Sequence, residues 1–205
     1  MEKLPAMLLV GPSASGKSPL GDLIQERGLG GSTFVHFDFG KCLRAAAWKD
    51  GLGLNESEID KIRSVLEQRR LLLDSEFGIA EKIFRCFLSE KPMAEKVVMN
   101  GLPRHLGQVE SCCALVDIAT VVYLSCSFSV LHQRIQSNIG GDREGRNDDT
   151  LNDISIKIAS FEKLTLPMID FFQSNAQINV LKIEIGTKDT PDSVYQKVAD
   201  QLASA

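Results

Sequence analysis

The sequence predicts an α/β fold in which a five-stranded parallel sheet is covered by helices on both faces. Five short apolar runs with little polar alternation alternate with segments of helix length: Ala6–Val10, Thr33–Phe37, Lys96–Met99, Ala119–Leu124 and Ile178–Ile185. Strands buried on both faces of a parallel sheet have this composition. With 205 residues, 43% apolar and 24% charged, the chain is long enough for one domain, 1–205, and disorder throughout is excluded.

Helix patterns fill the segments between these runs. Asn55 is an expected N-cap, because two glutamates follow in the first turn. Residues 71–88 carry an apolar stripe of about 3.6-residue period. The predicted helices are Lys17–Arg27, Lys41–Lys49, Glu56–Gln68, Leu71–Leu88, Val130–Asn138, Asp149–Ser174 and Pro191–Leu202.

Charge and cysteine content exclude several classes of protein. A net charge of −4 argues against binding to nucleic acid or to an anionic membrane surface. No apolar stretch reaches the ~18 residues of a membrane span. Five cysteines without metal-ligand spacing indicate free thiols in a reducing cytoplasm. We expect a cytoplasmic monomer, because no long apolar stripe remains once the core helices are assigned.

The motif of highest specificity is the phosphate loop, residues Gly11–Ser18. Its sequence GPSASGKS matches G-x-x-x-x-G-K-[ST], and it lies between the first strand and the first helix, as that motif requires. Backbone amides and the helix N-terminus there favour phosphate, and the lysine reaches the β/γ-phosphates. The residues predicted to bind ATP here are Ser13, Ala14, Ser15, Gly16, Lys17 and Ser18, with Ser18 as a Mg²⁺ ligand.

A second group of motifs carries a resemblance to a known family. Residues 101–108, GLPRHLGQ, follow the third apolar run and resemble the G-[FLY]-P-R-x-x-x-Q segment of the adenylate kinase family, the short-lid nucleoside monophosphate kinases. Residues 39–44 (FGKCLR), 133–135 (QRI) and 144–149 (EGRNDD) resemble further family segments in the same order. The resemblance covers roughly residues 6–200.

The resemblance implies transfer of a phosphoryl group from ATP·Mg to a nucleoside monophosphate (NMP) within a P-loop three-layer sandwich. It divides the chain into a core (1–37, 74–137 and 150–205), a helical NMP-binding insertion (38–73) and a short lid (138–149). Residues 140–149 contain no apolar side chain, which suits a segment that stays solvated when open.

Roles for individual residues follow from the same resemblance. The expected catalytic set is Lys17, Arg104, Arg134, Arg146 and Lys157, because phosphoryl transfer needs positioning and charge neutralisation. Gly186 would contact the adenine of ATP through its backbone. The expected acceptor site is Asp38, Phe39, Arg44, Leu72, Gly101, Arg104 and Gln108, and the expected lid residues are Arg143, Arg146, Asp148 and Asp149. The two lid aspartates either anchor lid arginines or cap the following helix.

Four positions depart from the family pattern. Asn100 stands where the family has an aspartate that holds Mg²⁺-bound water. The hypothesis from this departure is that Asp38 supplies the carboxylate, with Asn100 orienting water; the alternative is that Asp38 only caps the following helix. Phe39 replaces a threonine near the acceptor base, residues 69–73 (RRLLL) lack the usual proline, and Lys157 replaces an arginine.

These departures leave alternatives open. AMP is the leading acceptor because Gln108 keeps a purine-reading amide, and UMP, CMP and deoxynucleoside monophosphates remain candidates. Asp38 and Phe39 favour a kinase of a small hydroxylated metabolite. Asn100 and Lys157 favour a non-catalytic nucleotide-binding module.

Overall fold

The computed structural model describes residues 3–48, 53–91, 93–139, 141 and 151–204. Five strands form one sheet in the order β2-β3-β1-β4-β5, and every pairing is parallel. This confirms the predicted fold class. The strands are β1 (Leu4–Val10), β2 (Phe34–Asp38), β3 (Lys96–Asn100), β4 (Val116–Ser125) and β5 (Asn179–Glu184).

Strand register brings the chemically important residues to one edge of the sheet. β1 is central, so the phosphate loop that follows it emerges between the ends of β3 and β4. Leu9 pairs with Asn100, and Asn100 in turn pairs with Asp38. Carboxyl ends of parallel strands at such a crevice are the usual place for a ligand.

Helices occupy both faces of the sheet. Their bounds are α1 (Lys17–Arg27), α2 (Phe39–Ala46), α3 (Glu56–Glu67), α4 (Phe77–Ser89), α5 (Val109–Leu115), α6 (Phe128–Ser137), α7 (Leu151–Ser160), α8 (Pro167–Gln173) and α9 (Pro191–Ala203). Phe37, Phe84 and Phe172 are fully buried in the core on one face. Leu20, Ile24 and Val198 are fully buried on the other.

The predicted helix over residues 71–88 is wrong at its beginning. A 3₁₀ turn covers Asp74–Glu76, and α4 begins only at Phe77. The Glu76 carboxylate accepts hydrogen bonds from the Leu73 amide (2.9 Å) and the Arg70 guanidinium (2.7 Å). Glu76 therefore caps the turn, and the chain before it stays extended.

The predicted long helix over 149–174 is interrupted within its described part. A π-helical turn, Phe161–Thr165, separates α7 from α8. Pro167 begins α8, and because proline has no backbone N–H, an unbroken α-helical hydrogen-bond ladder is impossible there. Such π-turns often lie at functional sites.

The sequence pattern did not predict α5. α5 has only seven residues, VESCCAL, too few for an apolar period to emerge.

Among the residues described, no helix is both long and apolar enough to cross a membrane.

Candidate active site

The phosphate loop has the backbone shape that its sequence predicts. Ala14 and Gly16 have φ angles of 67° and 97°, in the left-handed region. A side chain at Gly11 would lie 2.8 Å from the Leu124 carbonyl oxygen, so the close approach of the loop to β4 requires glycine. The Lys17 ammonium donates to the carbonyl oxygens of Gly11 (2.6 Å) and Pro12 (2.7 Å). These bonds hold the lysine against the loop.

Three polar side chains meet beside the phosphate loop. The Ser18 hydroxyl donates to Asp38 Oδ2 at 2.6 Å. The Asn100 amide donates to Ser18 Oγ at 3.0 Å and to Asp38 Oδ2 at 3.2 Å. Their hydroxyl, carboxylate and amide oxygens are hard donors of the kind that Mg²⁺ prefers. This group has the chemistry of a site for a divalent metal ion.

The two carboxylate oxygens of Asp38 have different partners, so the helix cap leaves the second oxygen facing Ser18. Its Oδ2 faces Ser18, while its Oδ1 accepts from the Lys41 amide at 2.9 Å and caps α2. Burial alone would raise the pKa of the Asp38 carboxyl. The hydrogen bonds from Ser18 and Lys41, with the charges of His36 and Arg44, outweigh burial and lower that pKa below its ordinary value. Asp38 is therefore a carboxylate at neutral pH.

Two arginines line the same cavity as the phosphate loop. This central cavity of about 260 Å³ is lined by Lys17, Ser18, Asp38, Arg44 and Arg104, among others. Arg104 Nε is buried without a hydrogen-bond partner among the residues described. Burial lowers the pKa of Arg104, and the nearby Asp38 carboxylate partly opposes this effect. An unsatisfied guanidinium N–H beside the cavity is suited to an anionic ligand.

The backbone of Arg104 is fixed from two directions. Its N–H donates to Gln108 Oε1 at 2.9 Å, and its carbonyl oxygen accepts from the Thr165 hydroxyl at 2.7 Å. Gln108 is 1% exposed, and its amide also donates to the Leu72 carbonyl oxygen at 2.9 Å. In this conformation Gln108 joins the segment before α4 to the loop after β3.

A different set of contacts surrounds Arg134 on α6. It is 3% exposed, and its guanidinium donates to the backbone oxygens of Ala14 (3.2 Å), Gly186 (3.0 Å) and Asp189 (2.6 Å). Arg134 therefore connects the phosphate loop to the turn that follows β5.

A second cavity of about 1020 Å³ adjoins the central one. Arg69–Leu72, Arg104 and Lys157 line both cavities. The rest of the second cavity is largely apolar, with Leu73, Leu106 and Leu164 among its lining residues. The second cavity thus offers room for an apolar group next to the cationic side chains of Arg104 and Lys157.

The structure brings most of the predicted site residues to one cavity. Its predicted members are Ser13, Ala14, Gly16, Lys17, Ser18, Asp38, Phe39, Arg44, Leu72, Asn100, Gly101, Arg104, Gln108 and Lys157. Phe39 and Leu72 are 5% and 3% exposed and belong mainly to the core. Ser15 is fully buried in the loop, and Arg134 and Gly186 lie together at the turn after β5. Arg143, Arg146, Asp148 and Asp149 lie outside the described residues.

Sequence reasoning missed Thr165 and Asp189, and it named Arg69 only as part of the segment 69–73. Thr165 lies on the π-turn, which the uninterrupted helical pattern concealed. Arg69 lines the central cavity and lies shortly after the end of α3, where its φ of 53° is in the left-handed region. Asp189 stands directly before Thr190, the N-cap of α9, and its carboxylate accepts from the Gly186 amide three residues earlier, a bond that no local motif indicates.

Comparisons with known proteins agree with this geometry. A family model described as AAA domain matches residues 10–155. Uridylate kinase of Saccharomyces cerevisiae is 22% identical over 173 residues, covering 83% of this chain and 80% of the yeast protein. Adenylate kinase of Xanthomonas oryzae pv. oryzae is 27% identical over 180 residues, covering 84% and 87%. Probable UMP-CMP kinase 1 of Arabidopsis thaliana is 26% identical over 174 residues, covering 84% and 77%.

The fold and the phosphate loop define an ATP-dependent phosphotransferase of the P-loop class. The chain belongs to the family of the AAA domain model and, within that class, to the nucleoside monophosphate kinases. Enzymes of this class use a nucleoside triphosphate together with a divalent metal ion. These similarities favour an enzyme over the alternative of a non-catalytic nucleotide-binding module.

Proposed function

We propose that this enzyme transfers the γ-phosphoryl group of ATP·Mg to AMP. The observation that carries the proposal is the central cavity, which is lined jointly by Lys17, Ser18, Arg44 and Arg104. A triphosphate on the loop and a monophosphate on the arginines would meet within this one space of about 260 Å³.

Each residue has a role that its position supports. The loop amides and Lys17 hold the β- and γ-phosphates, while Arg44 and Arg104 hold the acceptor phosphate. The attacking oxygen is already anionic, so no strong general base is required. Lys157 lines the cavity and would neutralise charge on the transferred group, with Arg146 and Arg143 brought in by the lid. Asp148 and Asp149 would anchor those arginines or cap α7.

Magnesium is the metal ion that the donor set favours. Ser18 would be its direct protein ligand, with Asp38 and Asn100 holding metal-bound water. The ion would neutralise charge that develops on the phosphates. Asp38 supports this role because its carboxylate stays ionised and lies on the strand next to Asn100, where the family aspartate would stand.

The acceptor proposal rests on Gln108 at the acceptor end of the cavity. Its amide can read a purine, although it now bonds Leu72 and Arg104 and would give up one of these bonds on binding a base. The similarity to uridylate and UMP-CMP kinases makes UMP and CMP the natural competitors.

The test is ADP formation from ATP·Mg with AMP, UMP, CMP, deoxynucleoside monophosphates, shikimate-like acids and sugars. We expect AMP to give the highest kcat/KM. A higher value for UMP or CMP would overturn AMP as the acceptor. Activity confined to a hydroxylated metabolite would overturn the proposed reaction.

A further inference from the structure

The second cavity, of about 1020 Å³, is lined largely by residues that have no role in the proposed reaction. It adjoins the smaller central cavity at Arg104, which lines both. Sites for small organic ligands have volumes of about 300–1000 Å³. Gln108, the residue proposed to read the base of AMP, lines the central cavity and does not line the second one. The second cavity is therefore large enough for an organic group and lies outside the proposed base-reading position.

Exposed apolar side chains are concentrated at this cavity. Among the described residues, eight large hydrophobic side chains are exposed, and four of them line it. These four are Leu73 (57% exposed), Leu106 (46%), Ile156 (55%) and Leu164 (39%). Exposed apolar side chains are usually scattered singly, and a group of them on one surface marks a binding site. An apolar group that enters the cavity would be removed from water together with these side chains.

The lining of the second cavity is also cationic. Five positively charged side chains contribute to it: Arg69, Arg70, Arg104, Lys157 and Lys163. Asp74 is the one carboxylate among the described residues of the lining. Even with Arg70 paired to Glu76 at 2.7 Å, cations outnumber carboxylates around this space. The charge favours an anionic ligand over a neutral or cationic one.

Arg104 provides a specific place for that anion where the two cavities adjoin. Its Nε is buried without a hydrogen-bond partner among the described residues, an arrangement that is costly unless a ligand accepts from it. The Arg104 backbone is held by Gln108 and by Thr165, which fixes the origin of the side chain. A phosphate oxygen can accept from the guanidinium while the ester group of the same phosphate enters the second cavity.

We propose that the second cavity is a subsite for an apolar group carried by the acceptor phosphate. This inference rests on the proposed function, in which Arg104 holds that phosphate. The apolar group extends from Arg104 across Leu73 and Ile156. The acceptors include phosphate monoesters with an apolar part of several carbons, whereas AMP is read at Gln108 and does not need this subsite.

The experiment compares methyl phosphate with hexyl phosphate, which join the same anion to a short and to a long apolar chain. Dissociation constants for the whole protein are measured by NMR titration, which is suited to millimolar affinities. Burial of one CH₂ group favours binding up to about fourfold, so hexyl phosphate should bind at least about tenfold more tightly than methyl phosphate. 1-Hexanol has the same chain without the charge and should bind at least about tenfold more weakly than hexyl phosphate.

The double variant L73N/I156Q tests whether the chain lies in the second cavity. Both side chains are more than half exposed, so the fold should persist, and circular dichroism verifies it. We expect the preference for hexyl over methyl phosphate to fall below about threefold, while methyl phosphate affinity changes less than about twofold. M93Q is the matched control, because Met93 is 89% exposed and lines neither cavity. It should change neither affinity.

The outcomes separate this subsite from the proposed reaction. Equal binding of methyl and hexyl phosphate, equal binding of 1-hexanol and hexyl phosphate, or an unchanged preference in L73N/I156Q would each overturn the inference. An enzyme that forms ADP from ATP and AMP without preferring hexyl phosphate would overturn the subsite alone. A preference that L73N/I156Q abolishes, in a protein that does not phosphorylate AMP, would support the subsite and overturn AMP as the acceptor.

Discussion

At the residue scale, Lys17 is held against the phosphate loop by its own backbone. Its ammonium bonds the carbonyl oxygens of Gly11 and Pro12, and a phosphate would compete with these neutral acceptors. Bonds from the ionised ammonium are charge-assisted in both cases, but a phosphate also carries the opposite charge, so a bound triphosphate would draw the lysine away.

Lys17→Ala should therefore abolish phosphoryl transfer and leave the fold intact. We expect kcat/KM to fall at least about 1000-fold, in the range of other lost electrostatic contacts to a transition state. The urea midpoint should move little, since a partly solvated lysine buries little apolar area. Lys91→Ala, on an exposed lysine far from the cavity, is the control. Turnover near the wild-type rate would show that the loop assignment is wrong.

The neighbouring strand ends allow a sharper test of the metal site. Asp38 and Asn100 are register partners, so the variant D38N/N100D exchanges their side chains between β2 and β3. D38N alone should raise the Mg²⁺ concentration for half-maximal rate about tenfold, because the carboxylate beside Ser18 is gone. Steady-state rates titrated with Mg²⁺ measure the effect, and the double variant should recover part of the loss.

Asparagine caps helices as well as aspartate does, so D38N preserves the cap on α2. If Asp38 served only as that cap, the Mg²⁺ titrations of D38N and the wild type would coincide. That result would end the metal proposal for Asp38.

Sequence motifs predicted the residues of the central cavity better than their contacts. The phosphate loop and Arg104 could be located because glycine spacing and the G-L-P-R segment fix the chain locally. Gln108 donates to the carbonyl oxygen of Leu72, which lies 36 positions away in the sequence. Asp189 accepts from Lys197, which lies on α9. Such contacts are decided by packing, which local spacing does not encode.

At the scale of elements, the packing of α1 against β2 fixes the position of Ser18 relative to Asp38. His36 on β2 bonds Asp22 on α1 at 2.8 Å, and its ring packs directly on Gly21. The Gln25 side chain accepts from the His36 amide at 2.9 Å. These contacts lie between Ser18 at the beginning of α1 and Asp38 at the end of β2.

Gly21→Ala tests this close packing. Alanine in a helix normally stabilises by about 1 kcal/mol over glycine, but a methyl group here would overlap the buried His36 ring. Overpacking typically costs ~1–3 kcal/mol, so we expect net destabilisation measured by urea unfolding. Gly78→Ala on α4 is the matched control, since a methyl there meets no atom within 4 Å and should stabilise. Stabilisation by both substitutions would contradict the packing argument.

The fold class was predictable because parallel strands that are buried on both faces are apolar throughout. This composition is visible in each short segment of the sequence without reference to the rest of the fold. The interruption of the predicted 149–174 helix was not predictable, since the apolar pattern continues through the π-turn. The beginning of α4 was misplaced for a related reason: Leu72 continues the stripe, but it is buried from an extended segment. Burial repeated at helical spacing does not require a helix.

At the scale of the whole molecule, ionised carboxylates form hydrogen bonds and ion pairs between different segments of the chain. The pKa of Glu76 is lowered by its bond from Arg70, and that of Glu58 by its bond from Lys82 on α4. For Asp38 and Asp189, hydrogen bonds and nearby cations lower the pKa despite burial. Asp38 lies directly before α2, Glu58 on α3, Glu76 directly before α4 and Asp189 shortly before α9.

Stability should therefore fall in acid. A carboxyl with a lower pKa in the folded state stabilises fully above its unfolded value, 3.8 for aspartate and 4.5 for glutamate. That contribution is lost as the pH falls through the folded value. We expect the urea midpoint to be constant from pH 7 to about pH 5 and to decrease steadily below it.

Glu76→Gln should remove part of this pH dependence. Its carboxylate is 10% exposed and binds the Arg70 fork through both oxygens, so the loss at pH 7 should be roughly 1–2 kcal/mol. As the pH falls below 4.5, the unfolded value, toward the lower folded pKa of Glu76, the wild-type advantage is lost and the two urea midpoints should converge. Glu81→Gln, which breaks the exposed pair with Arg85, should cost less than about 0.5 kcal/mol at either pH. If the urea midpoints of E76Q and the wild type changed with pH in the same way, the bond between Glu76 and Arg70 would not contribute to the pH dependence of stability.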